Sequence, residues 1–176
     1  MKVRRVVTCH GANGKSTFQS DGLPPRGKVF THIPGMSQYL VGATEPTSTI
    51  PAGLDPTPST KSFHPDLGAT RFIVVTFPPD SVLAEAVGKG PAAMDEYREE
   101  TPGIADRFEP DGMHCTETID YGVVLEGELW LELDDGQTMH LRPHDCVVQN
   151  GTRHTWRNKT DQPSTIAFVL VGVERR

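Results

Sequence analysis

At 176 residues the chain is the size of one ordinary domain, and 17 glycines with 15 prolines, about 18% together against a usual ~12%, disfavour a helical bundle. The net charge of -6, from 17 basic and 23 acidic side chains with no local cluster of Lys and Arg, offers no footprint for a phosphate backbone, so no nucleic-acid partner is expected. Three widely spaced cysteines, Cys9, Cys115 and Cys146, lack the paired C-x-x-C runs of thiolate zinc sites and predict a reduced, cytoplasmic setting.

The start, Met1 to Arg5, is basic, but Val6 to His10 supplies too short an apolar stretch for a secretory leader. The runs Val3–Thr8 and Ser16–Ser20 flank Asn13-Gly14, the dipeptide of a tight hairpin turn, and predict a hairpin. Gly11 to Ser16 lacks the leading glycine of a phosphate loop, because Cys9 stands there. Ten of the fifteen prolines fall between Pro24 and Pro79, and a chain so poor in amide donors is predicted to wrap the domain or cover one mouth of it. Gln38–Val41 and Arg71–Phe77 have strand composition, and Pro91–Glu100 predicts one short helix. From Asp111 onward, strands of five to eight residues alternate with turns at Glu126-Gly127, Asp134–Gly136, Pro143–Asp145 and Asn150-Gly151, the rhythm of a sandwich or small barrel. Leu129, Leu131 and Leu133 alternate with polar neighbours and put one face in a core. The longest apolar run, Ile166 to Val173, reads as a buried strand and not as a membrane span. The expected layout is an N-terminal extension over 1–69 and a barrel over 70–176, together one domain, with residues 1–20 adding strands to an edge in a homodimer.

Chemistry concentrates in two stretches. In Gly112 to Gly127, His114, Thr116 and Asp120 lie at even offsets and share one face of an extended strand. In Gly151 to Asn158, His154, Trp156 and Asn158 do the same. Two imidazoles and a carboxylate suit a divalent transition metal with open positions, and each histidine could equally be a hydrogen-bonded core residue. Glu117 has the opposite parity, and Cys115 points away from the shared face.

These residues resemble the cupins, whose first motif reads G-x5-H-x-H-x3,4-E-x6-G and whose second ends in G-x2-H-x3-N. His114, Asp120 and Gly127 match the first motif, and Gly151, His154 and Asn158 the second. Phe108 replaces the opening glycine, Thr116 the second histidine, Asp120 the glutamate, and His144 a turn glycine. The resemblance implies an all-β fold, the cupin-type double-stranded β-helix or jelly-roll barrel. It also implies a metal site of at most three protein ligands, His114, His154 and Asp120, holding one Zn, Fe, Mn or Ni ion. On that reading the protein is a metal-dependent enzyme for a small organic acid, ketone or phenolic compound, with lyase, isomerase or decarboxylase chemistry preferred to an Fe(II) dioxygenase. The alternatives are a metal-free enzyme, in which His114 and Asp120 form the base and Tyr121 or another phenol the acid, and a non-catalytic small-molecule binding module. Trp156, Thr116 and Arg71 are the expected substrate contacts, with Arg107 and Arg153 as other candidates for a carboxylate, and the segment from Gly22 to Ser62 is the expected lid. The other histidines, including His64, are expected to be solvated.

Overall fold

The computed structural model describes residues 2–50 and 53–176; Met1, Pro51 and Ala52, which the N-terminal and proline-rich readings include, lie outside the described residues. The chain opens with β1 (Arg5–His10), β2 (Ser16–Gly22), β3 (Arg26–Val29) and β4 (Ser37–Thr44). A long irregular stretch leads to β5 (Thr70–Phe77), α1 (Asp80–Gly88) and α2 (Ala92–Glu100). The remainder is β6 (Thr118–Glu126), β7 (Leu129–Leu133), β8 (Thr138–Leu141), β9 (Cys146–Gln149), β10 (His154–Arg157) and β11 (Ser164–Gly172).

Two antiparallel sheets make the body: six strands in the order β3-β4-β5-β11-β6-β9, and three in the order β10-β7-β8. The fold is the expected all-β double-stranded β-helix. Its core lies between the layers, where Leu40, Ile73, Val124, Ile166 and Phe168 of the larger sheet meet Leu129 and Leu141 of the smaller. Leu40, Val124, Leu129 and Ile166 have no solvent exposure, and each contributes about 1.5–3 kcal/mol by leaving water. Leu129 fits the predicted core face, while Leu131 and Leu133 are only half-buried.

Two placements differ from the sequence reading. The larger sheet begins before residue 70, because β3 and β4 form its edge, whereas β1 and β2 make a separate two-stranded hairpin. The hairpin turns at Gly14 with φ +74 and is held beside the sheet by Arg5, whose guanidinium donates to the Val41 carbonyl and to Asp55 and Thr57. There are also two α-helices where one was expected. Helix α1 follows Pro78-Pro79 directly, and its strong helix formers, Leu83 to Ala86, carry no clear periodicity that would have marked it. Helix α2 starts one residue after Pro91 and buries Ala93 and Tyr97, four residues apart on one face.

Candidate active site

The first cupin-like histidine sits just outside the regular strands. His114 and His154 exchange both backbone hydrogen bonds, His114 N to His154 O at 2.9 Å and the reverse at 3.0 Å, as an isolated antiparallel bridge. Residues paired this way project to the same face. Their rings accordingly lie 4.2 Å apart between centroids, tilted by 45°. Across the barrel, Asp120 projects inward from β6, which pairs with β11 and β9. Thr116 is buried beside it in sequence and accepts a hydrogen bond from Thr118 at 2.8 Å.

These groups line one cavity of about 640 Å3, together with Trp156 and Phe168. An aromatic chain runs along its wall. Tyr97 of α2 meets Phe108 edge-on at 5.7 Å, Phe108 stacks on His114 at 4.3 Å, and Trp156 lies between His154 and Phe168. Phe108, standing where the motif has glycine, thus supplies a stacking partner for the first histidine.

The electrostatics follow from burial. His154 Nδ1 lies 2.9 Å from the Thr152 carbonyl, so the neutral ring carries its proton there and leaves Nε2 as the lone-pair nitrogen. His114 Nδ1 and Asp120 Oδ1 are buried without any hydrogen-bond partner. Burial, reinforced by the neighbouring His154, pushes the His114 imidazole down to about 4, and burial lowers His154 in the same direction. Burial also pushes the Asp120 carboxyl up to about 6, with the nearby Thr118 hydroxyl opposing it. Two neutral imidazoles and a carboxyl poised near neutrality therefore share one apolar chamber.

His114, His154, Asp120, Thr116 and Trp156 are thus brought together as expected. Tyr121 and Arg71 are not. Tyr121 follows Asp120 by one residue, points to the opposite face of β6 and is 54% exposed on the outside of the sheet. Arg71 is buried at the end of β5, where its guanidinium donates to the carbonyls of Ser62, Thr44 and Thr70 and pairs with Glu45 at 3.3 Å. Arg107 is engaged by Glu117, and Arg153 by Glu109, Asp111 and Asp134. Of the expected lid, Ile33, Met36 and Gln38 line the cavity and the described residues of 45–60 do not; α1 and α2 supply further wall, with Leu83, Met94 and Tyr97 in the lining. Sequence reasoning missed these three, although the i, i+4 spacing of Ala93 and Tyr97 marks the inward face of α2. His64, expected in solvent, is half-buried, with Nε2 shielded and without a hydrogen bond, 3.6 Å from Glu117.

The two closing motif positions prove structural. Asn158 is fully buried and donates to the Phe77 and Gln162 carbonyls, while its own backbone exchanges hydrogen bonds with Asp80 at the start of α1. It ties the second motif to the helical wall. Gly127 adopts φ +74, and a Cβ there would fall 2.5 Å from Ser164 Oγ.

A metal was tested against this donor set. Among the described residues no three of His, Cys, Asp and Glu converge on a point where they could hold an ion. The side chains present do not fit a three-ligand centre, since Thr116 stands where the motif places a second histidine and Asp120 is one methylene shorter than glutamate.

No family model matches the chain. It is 31% identical to oryzines biosynthesis cluster protein J of Aspergillus oryzae over 157 residues, covering 89% of this chain and 75% of that protein. It is 28% identical over 173 residues to the cupin-domain-containing oxidoreductase fogC of Aspergillus ruber, covering 97% of this chain and 72% of the relative. The chain belongs to the cupin superfamily. Among solved structures, an RmlC-like cupin with a double-stranded β-helix fold from Methanocaldococcus jannaschii matches at 10% identity and TM-score 0.38. The match covers 58% of this cupin and 70% of that chain.

Proposed function

We propose that this cupin is an enzyme that moves protons on a carbonyl or phenolic substrate without a resident metal. The observation that carries the reading is the pair of buried, unpartnered atoms, His114 Nδ1 and Asp120 Oδ1, on two residues that line one apolar cavity. An unpaired buried polar atom costs about 1–3 kcal/mol, and a substrate that supplies the missing partner recovers that cost on binding.

The roles follow from the protonation states. His154, with its tautomer fixed through Thr152, offers Nε2 as a base, and Asp120, poised near pH 6, accepts or returns a proton close to neutral pH. Tyr97 replaces Tyr121 as the phenol. It lines the same cavity, and burial pushes its hydroxyl up to about 12, so it stays protonated and can donate to a carbonyl oxygen. The Phe108 ring between Tyr97 and His114 excludes water from the space they bound. Proton transfer of this kind underlies enolisation, isomerisation and lyase reactions, which agrees with relatives named for biosynthetic clusters.

The iron dioxygenase alternative and the oxidoreductase names of relatives call for a metal or redox partner, and the donor set gives no three-ligand centre to build on. The test is metal content together with exchange. Protein purified without an affinity tag and dialysed against EDTA should carry less than a tenth of an equivalent of metal, in order of magnitude, and should still catalyse solvent-deuterium exchange into the acetyl group of 4-hexylacetophenone. Stoichiometric metal whose removal stops exchange would overturn the proposal in favour of a metalloenzyme.

A further inference from the structure

Resting on the proton-transfer reading, we infer that the substrate is an uncharged molecule with a long apolar body, a carbonyl or phenol at its deep end and no carboxylate. Both the charge and the volume of the cavity disagree with a small acid. A cavity of about 640 Å3 falls in the middle of the ~300–1,000 Å3 range that holds ligands of drug size, well above the need of a three- or four-carbon acid. Its walls toward the helices are Met36, Leu83, Val87 and Met94, flexible or branched aliphatic side chains that accommodate an alkyl or aryl body.

Among the described residues no lysine lines the cavity, and the two arginines that do, Arg98 and Arg157, are already engaged. Arg98 is more than half exposed and pairs with Asp95, while Arg157 donates to the Asp111 carbonyl and lies 3.5 Å from Glu132. The lining acids Glu109 and Asp111 are paired with Arg153, and Asp80 accepts from the Asn158 amide, so no unpaired cation is left over among the charged lining residues. A carboxylate would therefore arrive where no free cation compensates its lost hydration. A neutral carbonyl or phenol meets no such cost beside His114 and Asp120.

Four probes test this by calorimetric titration of the wild-type protein at pH 7.5: 4-hexylacetophenone, 4-hexylbenzoate, 4-hexylbenzylamine and acetophenone. The tailed ketone should bind saturably, the tailed benzoate and amine at least about 10-fold more weakly, and tail-less acetophenone at least about 30-fold more weakly. Met94→Trp and Leu83→Trp, checked for folding by circular dichroism, should each weaken the tailed ketone at least about 10-fold by filling the cavity. Equal or tighter binding of the benzoate or amine, indifference to the tail, or no binding of the tailed ketone up to its solubility overturns the inference. The two readings fail separately. Selective binding of the tailed ketone without deuterium exchange preserves this ligand class and removes the acid–base reading, whereas exchange on acetophenone as fast as on the tailed ketone does the reverse.

Discussion

Asp120 and His114 hold opposite protonation preferences within one cavity, and the sign of each effect can be worked out. Between about pH 4 and 6 the unfolded chain has lost the Asp120 proton and the folded chain keeps it, so this residue makes stability fall as pH rises. Between about pH 6.5 and 4 the unfolded chain gains a proton that folded His114 refuses, so that residue makes stability fall as pH falls. The two slopes oppose each other over the shared window, and Asp120→Asn separates them. The variant should be about 1–3 kcal/mol more stable than wild type at pH 8, where the buried carboxylate is charged, and should lose stability on acidification from pH 6.5 to 4 more steeply than wild type. Urea denaturation at pH 8, 6 and 4 reads both; a variant less stable than wild type at pH 8 would show that Asp120 is paired in a way the cavity does not reveal. At this scale the sequence was informative where period two governs: parity placed His114, Thr116, Asp120, His154 and Trp156 on inward faces. The same rule put Tyr121 outside, one residue from Asp120. Arg71 was beyond reach because its partners are carbonyls from segments 9 and 27 residues away, a contact set only the folded wrap brings together.

Strands and turns carry the motif's glycines, and one turn departs from it. His144 occupies φ +77, the left-handed region that suits glycine, and its amide donates to the Val124 carbonyl of β6 at 2.9 Å, which ties the turn before β9 to that strand. His144→Gly should raise stability by about 0.5–1 kcal/mol through relief of that conformation, partly offset by greater freedom of the unfolded chain. Gly127 is the converse. Gly127→Ala meets both the φ +74 penalty and Ser164, whose hydroxyl bridges the Glu128 amide and carbonyl, so it should cost at least about 2 kcal/mol. Thermal melts of the two variants should move in opposite directions. The strands after residue 111 were legible because turns and alternation are local signals. The helical wall was half legible: Pro91 marked α2, while α1 lies in a stretch without clear apolar periodicity, and of the expected lid only Ile33, Met36 and Gln38 reach the cavity, since length and irregularity are all that a sequence offers for a lid.

The whole molecule presents its larger sheet outward with a cross-strand row of Phe72, Val169, Tyr121 and Val148, set by the pairing of β5, β11, β6 and β9. Phe72, Tyr121 and Val148 are each more than a third exposed, and the β1–β2 hairpin, whose second strand is exposed throughout, abuts the row at Val41 and Phe72. We propose that row and hairpin together form the face of the expected homodimer, since an isolated two-stranded hairpin is marginal in water and a stable dimer needs about 800 Å2 per partner. Sedimentation should give a dimer for wild type and a monomer for Tyr121→Glu; a monomeric wild type would refute the interface. Among the described residues no helix is long and apolar enough to cross a membrane. The proposed dimer face lies on the outside of the larger sheet and the cavity residues lie inside, so loss of one should leave the other measurable. The account stands or falls on the inner site. The direct measurement is the rate of solvent-deuterium incorporation into 4-hexylacetophenone by EDTA-treated protein, followed by proton NMR, for wild type and Asp120→Asn. A loss of about 10²-fold or more in a folded, stable variant is the predicted result, in keeping with general acid–base catalysis; an Asp120→Asn protein that exchanges as fast as wild type would contradict it.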